Sequence, residues 1–409
     1  MPNNAQCQVV DDRLSALPDE ILIDILQRLQ LPTAARTTTL ARRWTHLLQS
    51  MNHLEIDVAD FIPRRSAPSL KRNTMTRVKV AMSRYTQAMR TLLAPRAESP
   101  QLIIIRTLHL CFYLTDPYLH SVGRMLEDAV QSAGGRASKI EVLSFSILTE
   151  VPELLCTEKH LARYGRRFMS FFQAYPNAFR RLTSLSLWAL RFGDSDIPNL
   201  LASCLQLQHL TLQDCDNGKR SLPFKLSDWL STVPTLTSLH LDFQDEMVWI
   251  LPEEPKKLFP IFRNLRNVYL CSISLDCGLD WTLFVLEGAP FLERFHVKIS
   301  LHICDENGFK DRADRSNVVW EASSESIKHK NLRLLDINGF ETTENLIKEL
   351  WGYSEFTCMI RNRAKIAMVF ISIRHLCPEL YSPNNEAEKD LLRQQLLQGF
   401  SSSIEITIG

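Results

Sequence analysis

A chain of 409 residues is long enough for two or three average domains, or for one array of repeats with an attachment. Its 47 basic residues nearly balance its 46 acidic ones, so the net charge gives no reason to expect a nucleic acid or a membrane surface as partner. The composition, 45% hydrophobic and 23% charged, is that of a globular protein, and the apolar stretches are too short to cross a bilayer.

The first eleven residues predict a disordered N-terminus without a secretory signal, because they hold neither a basic start nor an apolar core. The ten cysteines are scattered, with no C-x-x-C pair of the kind that zinc sites use. Cys111, Cys204 and Cys271 lie in apolar, strand-like contexts, where free thiols behave as small hydrophobic side chains. This usage favours a reducing compartment, the cytoplasm or the nucleus.

Residues 12–56 follow a helical pattern. The stretch LPDEILIDILQRLQ, residues 17–30, predicts an amphipathic helix that Pro32 ends, with Pro18 and two carboxylates in its first turn. Two more short helices come next, with Trp44 packed among them. A unit this small buries little surface, so its many apolar side chains indicate an obligate partner.

Residues 57–100 are locally basic and join this head to the rest of the chain. Residues 60–73 are typical of a linker, and residues 74–93 predict a helix that caps the open end of a repeat array. Its arginines are then a solvated face, which we favour over phosphate binding. The predicted buried face of the helix consists of Val78, Met82, Tyr85, Met89 and Leu92.

Residues 101–380 repeat one six-residue template, L-x-x-L-x-L. Its middle steps match a leucine-rich repeat, which places parallel strands on a concave face and helices or irregular segments, such as 117–132 and 158–174, on the convex face. The asparagine that usually comes after the template is mostly missing, so we expect a less regular coil. The templates begin at residues 105, 140, 182, 207, 236, 265, 292 and 332, with a weaker one at 366.

Alternation along these strands places the leucines inward and the intervening side chains on the concave face. These side chains mix aromatic, acidic and basic types, so no single ligand chemistry is indicated. The predicted substrate-binding positions are Trp188, Gln213, His240, Asp242, Tyr269, His296 and Lys298, with Ser186 and Thr211 on the same face.

Motifs for chemistry are scarce, since the chain has no Walker loop, no G-x-G-x-x-G, no G-x-S-x-G and no H-E-x-x-H. His296, His302 and Cys304 are better explained as ordinary side chains than as metal ligands. Asp305 and Glu306 are typical of a turn beside Asn307-Gly308. We therefore expect no catalytic residue, no metal and no cofactor, and an enzyme built into the repeats has no motif in its support.

The head resembles an F-box of the plant type, in which an RLSxLPDEIL helix precedes TAARTxxLxRRW. The resemblance covers residues 12–56, and the repeats at 101–380 extend it to the plant F-box/leucine-rich-repeat family. The tail, of which residues 381–409 are expected to form a helix and a terminal strand, resembles grass members of that family. The matching positions include Leu17, Pro18, Asp19, Glu20, Ile21, Leu22, Ile25, Leu26, Ala34, Leu40, Arg42, Arg43 and Trp44.

The resemblance implies the substrate-recognition subunit of an SCF-type E3 ubiquitin ligase. Its F-box would dock on a Skp-type adaptor and through it on cullin and RING subunits, while the repeats bind a protein substrate that the sequence does not identify. The alternative is a repeat scaffold that binds partners without directing ubiquitylation. Sequence does not separate adaptor contacts from head core among the predicted adaptor-binding residues: Leu17, Pro18, Ile21, Leu22, Ile25, Leu26, Leu40 and Trp44.

Overall fold

Two compact units make up the chain, one of residues 1–112 and 116–143 and one of residues 113–115 and 144–409. In the parts of both units that are described, no helix combines the length and the apolarity needed to span a membrane. The computed structural model describes residues 14, 16–37, 39–63, 74–93, 105–131, 139–151, 155–216, 225–243, 250–251, 253–273, 280–299, 331–338, 368–372, 387, 390 and 406–408.

The first unit begins with the predicted three-helix head. Its helices are α1 (Asp19–Gln27), α2 (Leu31–Thr37) and α3 (Arg42–Gln49), and Trp44 is buried, as predicted. After the head come strand β1 (His53–Asp57), a 3-10 turn (Val58–Phe61), helix α4 (Thr74–Leu93), strand β2 (Thr107–Tyr113) and helix α5 (Tyr118–Gln131).

Helix α1 is shorter than the prediction for residues 17–30. Pro18 precedes the helix as its N-cap residue, and the helix ends at Gln27. Pro32, which was predicted to end it, instead lies in the first turn of α2. A proline is tolerated there because the N–H groups of a first helical turn have no partner within the helix.

Helix α4 confirms the prediction for residues 74–93. Its five predicted apolar side chains are all buried, while Arg84 and Arg90 are exposed. The helix packs against α5, the 3-10 turn and β1. The phenol of Tyr85 contacts Phe61 edge-on at a ring distance of 5.9 Å, which fastens α4 to the turn after β1.

Strand β1 was not predicted. It pairs in parallel with β2, Leu54 beside Leu108 and Ile56 beside Leu110. Residues 51–56, MNHLEI, fit the repeat template with methionine in its first place, and this substitution hid the match. A repeat strand therefore lies within the segment assigned to the F-box, and the boundaries predicted between the chain's domains stay predictions.

The second unit is built on nine parallel strands, each paired with the next in chain order, in an open sheet. The strands are β3 (Val142–Leu148), β4 (Ser184–Trp188), β5 (His209–Gln213), β6 (Ser238–Asp242), β7 (Asn267–Ile273), β8 (Arg294–Ile299), β9 (Leu334–Asn338), β10 (Met368–Ser372) and β11 (Ile406–Ile408). The helices are α6 (Glu158–Ala174), α7 (Pro176–Arg180), α8 (Asp196–Ser203), α9 (Leu226–Leu230), α10 (Pro255–Phe262) and α11 (Asp280–Gly288).

Each predicted template coincides with a strand, β2 to β10, and each strand begins two residues after its template does. One backbone pattern recurs between repeats: a single carbonyl accepts two N–H groups from the next repeat. The carbonyl of Gln208 accepts from Thr237 and Ser238 at 2.8 and 2.9 Å, and Thr237 accepts in the same way from the following repeat. The leucine-rich-repeat architecture is thus confirmed, with α5 and α6 in two of the segments predicted as helical.

Packing agrees with the predicted alternation. The template leucines, such as Leu210, Leu212, Leu239 and Leu241, are almost fully buried. Consecutive helices from α7 to α11 contact one another. Phe145 of β3 and Phe168 of α6 both meet the ring of Phe179 edge-on, at 5.6 and 5.9 Å. The opposite face of the sheet carries the positions between the template leucines, and it points away from this core.

Different side chains occupy the template position at which an asparagine is usual. At the asparagine position of the repeat containing β5, the thiol of Cys215 donates to the carbonyls of Leu187 and Gln213. Leu190 and Ile273 fill the same position as buried apolar groups. The residues just before all three adopt positive φ without being glycine: Ala189, Asp214 and Ser272. These left-handed residues therefore recur at one position of three repeats, and the less regular coil expected from the sequence stays a prediction.

Candidate functional site

The helical head separates the predicted adaptor-binding residues into core and surface. Leu22 and Leu26 of α1 are fully buried, and Trp44 of α3 is 6% exposed. Because α1 and α2 both pack on α3, these side chains hold the head together. They are therefore core residues of the head, which a helical periodicity alone does not reveal.

The remaining predicted residues lie at or near the surface. Ile21 is 49% exposed and Leu40, in the connection between α2 and α3, is 68% exposed. Pro18 is exposed, and Leu17 and Ile25 are half-buried. Leu14 and Leu29 are exposed as well and were not among the predicted adaptor-binding residues. We call Leu14, Pro18, Ile21 and Leu40 the exposed apolar set of the head.

An ion pair fixes the start of α1, and it was not predicted from the sequence. The guanidinium of Arg43, on α3, donates to the carboxylate of Asp19 at 2.8 Å through Nε and to the carbonyl of Leu17 at 2.7 Å. Both charged residues belong to the motif that carries the F-box resemblance. The motif thus positions Leu17 and Pro18, the residues that lead into α1.

The face of β4 to β9 opposite the buried template leucines brings the predicted substrate-binding residues into rows. We call it the open strand face. Strand register places Trp188 beside Gln213 and Gln213 beside Asp242. A second row runs across the strands through Ser186, Thr211, His240, Tyr269, His296 and Asp336. Lys298 is exposed on the same face of β8, beyond His296.

Part of the second row forms a ladder of aromatic rings. Tyr269 lies between His240 and His296, at ring distances of 5.6 and 5.8 Å, tilted by 43° from each. At the end of the ladder, Nδ1 of His296 is 2.7 Å from Oδ2 of Asp336. Asp336 was not predicted as a site residue, although its place in the template at residue 332 puts it on this face. We call His240, Tyr269, His296 and Asp336 the ring ladder.

Burial sets the protonation of one ladder residue. It lowers the pKa of His240, which Asp242 raises and His296 lowers further. The imidazole is therefore neutral near neutral pH, and its Nε2 is buried without a hydrogen-bond partner among the described residues. His209, on β5 of the same face, also has its pKa lowered by burial.

Four free cysteines of the described regions, Cys111, Cys204, Cys215 and Cys271, have a raised pKa and are held in the protonated form. Burial raises the pKa of Cys204 to about 12, and burial is also the largest cause of the raised pKa of Cys111 and Cys215. A protonated thiol is a poor nucleophile and a poor metal ligand. Cys204 and Cys271 are buried, whereas Cys111 is partly accessible.

Groups of three or more metal-binding side chains do not occur within the described residues. The imidazole of His296 faces Asp336 in the ladder. The other residues weighed as ligands or as an acidic pair, His302, Cys304, Asp305 and Glu306, lie outside the described residues.

Comparison with known proteins points to one group. No family model matches the chain. F-box/LRR-repeat protein 25 of Arabidopsis thaliana is 22% identical over 211 residues, which is 51% of this chain and 70% of that protein. A putative Arabidopsis F-box/LRR-repeat protein, At5g02930, is 24% identical over 241 residues, 59% of this chain and 39% of the relative. The chain is thus similar to plant F-box/leucine-rich-repeat proteins.

Two further relatives belong to the same group. The Arabidopsis F-box protein At3g60790 is 23% identical over 203 residues, 49% of this chain and 40% of the relative. The Arabidopsis F-box protein At1g80960 is 43% identical over 47 residues, 12% of this chain and 10% of the relative. The matches thus span two fifths or less of three of these relatives. The likeness of the tail to grass members of the family stays a prediction.

Proposed function

We propose that this F-box/leucine-rich-repeat protein is the substrate-recognition subunit of an SCF-type ubiquitin ligase. In this proposal the helical head docks on a Skp-type adaptor, which links it to cullin and RING subunits. The open strand face binds the protein to be ubiquitylated. The chain acts in the cytoplasm or the nucleus, with no role for a nucleic acid, a membrane or a cofactor.

The exposed apolar set of the head is the observation that carries the proposal. The head already has a core in Leu22, Leu26 and Trp44, so Ile21 and Leu40 are not needed to complete it. Large apolar side chains that stay this exposed on a small helical unit are typical of a protein interface. The names of the relatives supply the kind of partner, since F-box proteins generally bind Skp-type adaptors.

The chain needs no catalytic group for this function. Holding a client on the strand face raises the effective concentration of its lysines near the ubiquitin-charged enzyme that the RING subunit recruits. What the structure must provide is a fixed binding face, and the register of β4 to β9 keeps its side chains in rows.

Co-purification tests the proposal. The full chain, expressed with a Skp-type adaptor and a cullin, is expected to retain both proteins. The Ile21→Asp/Leu40→Asp variant is expected to lose both proteins, because it places charges in an apolar interface. Neither residue belongs to the core of the head, so the variant should still fold. A matched control is Leu205→Asp/Phe259→Asp, which changes two similarly exposed apolar residues of the repeat unit and should retain both partners.

Two results would count against the proposal. Failure of the unaltered chain to retain the adaptor contradicts the role assigned to the head. Retention of the adaptor without the cullin supports the alternative, a repeat scaffold that does not direct ubiquitylation.

A further inference from the structure

An open groove of about 740 Å³ in the first unit is lined by helix α4 and the start of α5. Among the described residues that line it, Arg84 and Arg90 are basic and none is acidic. Gln87 lies between the two arginines on the same face of α4, and Ser121 lines the groove from α5. This volume suits a drug-sized ligand or a short peptide segment. We call it the basic groove.

The two arginines of the basic groove are exposed, and neither forms an ion pair with a described residue. Arg90 donates a hydrogen bond to the side-chain oxygen of Gln87 at 3.2 Å, which is a neutral partner. Arg84 forms no hydrogen bond with any of the described residues. Both guanidinium groups are therefore available to an anionic partner.

The acidic residues of the neighbouring elements leave this charge largely uncompensated. Glu127 and Asp128 of α5 are paired with other residues of the same helix. Asp116, which directly precedes the groove residue Pro117, already interacts within the protein. Even with Asp116 counted, two guanidinium groups at the groove exceed one carboxylate. Three further acidic residues line a different cavity, beside β1 and β2: Glu55, Asp57 and Asp60.

The sequence around the groove has the same one-sided charge. Helix α4 carries four basic residues and no acidic one. Residues 61–97 hold nine basic residues and no acidic one, in a chain whose basic and acidic residues nearly balance. A helix face that is only solvated usually mixes the two signs, which form pairs along the helix. This exclusion of acids indicates that the solvated face of α4 also meets an acidic partner.

We infer that the basic groove binds an acidic segment of a partner protein, with one carboxylate on Arg84 and a second on Arg90. Arginine forms two parallel hydrogen bonds with a carboxylate. The inference is independent of the proposed function, because the groove shares no residue with the exposed apolar set of the head or with the open strand face. The net charge of the chain, +1, does not favour a nucleic acid as the partner.

Helix geometry specifies the spacing of the two acids in the partner. Arg84 and Arg90 are separated by about 9 Å along the axis of α4, since a helix rises about 1.5 Å per residue. In the polyproline II conformation, side chains three residues apart lie on one side of the chain and are about 9 Å apart. An acidic segment in that conformation would therefore place its two acids with two other residues between them.

A displayed peptide library tests this chemistry on the full chain. Random dodecapeptides are first depleted on the Arg84→Gln/Arg90→Gln variant and then panned on the unaltered chain. We expect binders with two acidic residues separated by two others. A synthetic peptide from that set should bind at least about tenfold less tightly when both acids become the corresponding amides, which keep the shape and lose the charge.

Variants of the chain locate the site. Arg84→Gln/Arg90→Gln is expected to weaken the same peptide by at least about tenfold. A matched control is Arg180→Gln/Lys256→Gln, which removes two positive charges from exposed positions of α7 and α10 and should change the affinity by less than about twofold. Thermal unfolding of both variants checks that they fold, and the amide peptide tests the inference without altering the chain.

Three results would overturn the inference. It fails if panning enriches no acidic peptide, or if the amide peptide binds as well as the acidic one. It also fails if the two double variants weaken the peptide equally. A single-stranded RNA of twelve uridines is titrated on the same preparations. RNA that displaces the peptide and binds at least as tightly would assign the groove to a nucleic acid instead, whereas RNA that leaves the peptide bound supports the protein partner.

Discussion

Gly165 is a residue whose identity is decided by one close approach. A Cβ at this position of α6 would lie 1.6 Å from the carbonyl oxygen of Arg191, and a backbone atom does not move aside as a side chain does. The same loop donates the N–H of Arg191 to the carbonyl of Leu161 at 3.1 Å, so α6 and the loop after β4 are held together. No template position marks this glycine in the sequence.

Gly165→Ala is therefore expected to destabilise the second unit. Replacing glycine by alanine stabilises a helix by about 1 kcal/mol, but the steric conflict costs about 3 kcal/mol, so the net effect is a loss of stability. Thermal unfolding should show a midpoint lower by several degrees. Gly193→Ala is the matched control, because its Cβ would meet only the carboxylate of Asp196 at 3.2 Å. Equal midpoints for the two variants would contradict the close approach.

His240 predicts a dependence of stability on pH. Its pKa in the folded chain lies below the ordinary value of 6.5 because of burial. As the pH falls below about 6.5, the imidazole takes up a proton in the unfolded chain, whereas in the folded chain it stays neutral until the pH reaches its lowered pKa. The free energy of unfolding should therefore decrease between about pH 6.5 and the lowered pKa of the folded state.

His240→Gln should remove this share of the pH dependence. Urea unfolding measured from neutral to mildly acidic pH is expected to show a smaller loss of stability in the variant than in the unaltered chain. His46→Gln, which changes an exposed residue of α3, serves as the control and should behave like the unaltered chain. An unchanged pH dependence in His240→Gln would show that the imidazole is not kept neutral by the fold.

At the scale of single residues, the sequence predicted which side chains matter better than it predicted their roles. Helical spacing placed Ile21, Leu22, Ile25 and Leu26 in one apolar group, and the burial of Leu22 and Leu26 depends on where α3 packs. That packing is a tertiary arrangement, which the periodicity of one helix does not contain. The same limit hid the Asp19–Arg43 pair, whose members are far apart in the sequence.

Among elements, the strands were easier to predict than the turns between them. Period-two leucines specified the positions of β2 to β10, because one face of each strand must be buried. The contacts between repeats just before the strands begin were not predicted. There the amide of Asn264 donates to the carbonyl of Pro234 at 2.8 Å, and Asn331 donates to Pro290 at 3.3 Å. These side chains link successive repeats at the start of their strands.

A different contact links two repeats where this asparagine is absent. Phe291 occupies the equivalent place before β8, and the guanidinium of Arg266 lies over its ring at 5.3 Å. Arg266 also donates to the carbonyl of Arg263 at 3.4 Å, in the turn where a neighbouring asparagine would otherwise reach. A ring and an arginine thus take over the link between two repeats.

Asn264→Asp tests the link without changing the size of the side chain. A carboxylate has no N–H to donate and repels the carbonyl of Pro234, so the free energy of unfolding should fall by about 1–2 kcal/mol. Asn199→Asp, in an exposed position of α8, should change it by less than about 0.5 kcal/mol. Denaturant unfolding of both variants measures the difference. Equal free energies of unfolding would contradict the stabilising hydrogen bond between Asn264 and Pro234.

On the scale of the whole molecule, two activities are assigned to different parts of one chain. The head supplies the exposed apolar set, and the repeats supply a strand face in fixed register. The sequence predicted this division through an F-box-like motif and a repeating template. It did not predict the ring ladder as a unit, because Tyr269, His296 and Asp336 come together only through the pairing of β7, β8 and β9.

A titration of the purified full chain with a Skp-type adaptor tests the central claim most directly. The account predicts saturable one-to-one binding that Ile21→Asp/Leu40→Asp weakens by more than about a hundredfold. Leu205→Asp/Phe259→Asp should weaken it by less than about threefold, since those residues lie outside the head. Absence of saturable binding by the unaltered chain, or equal weakening by the two double variants, would contradict the claim that the head is the adaptor-docking surface.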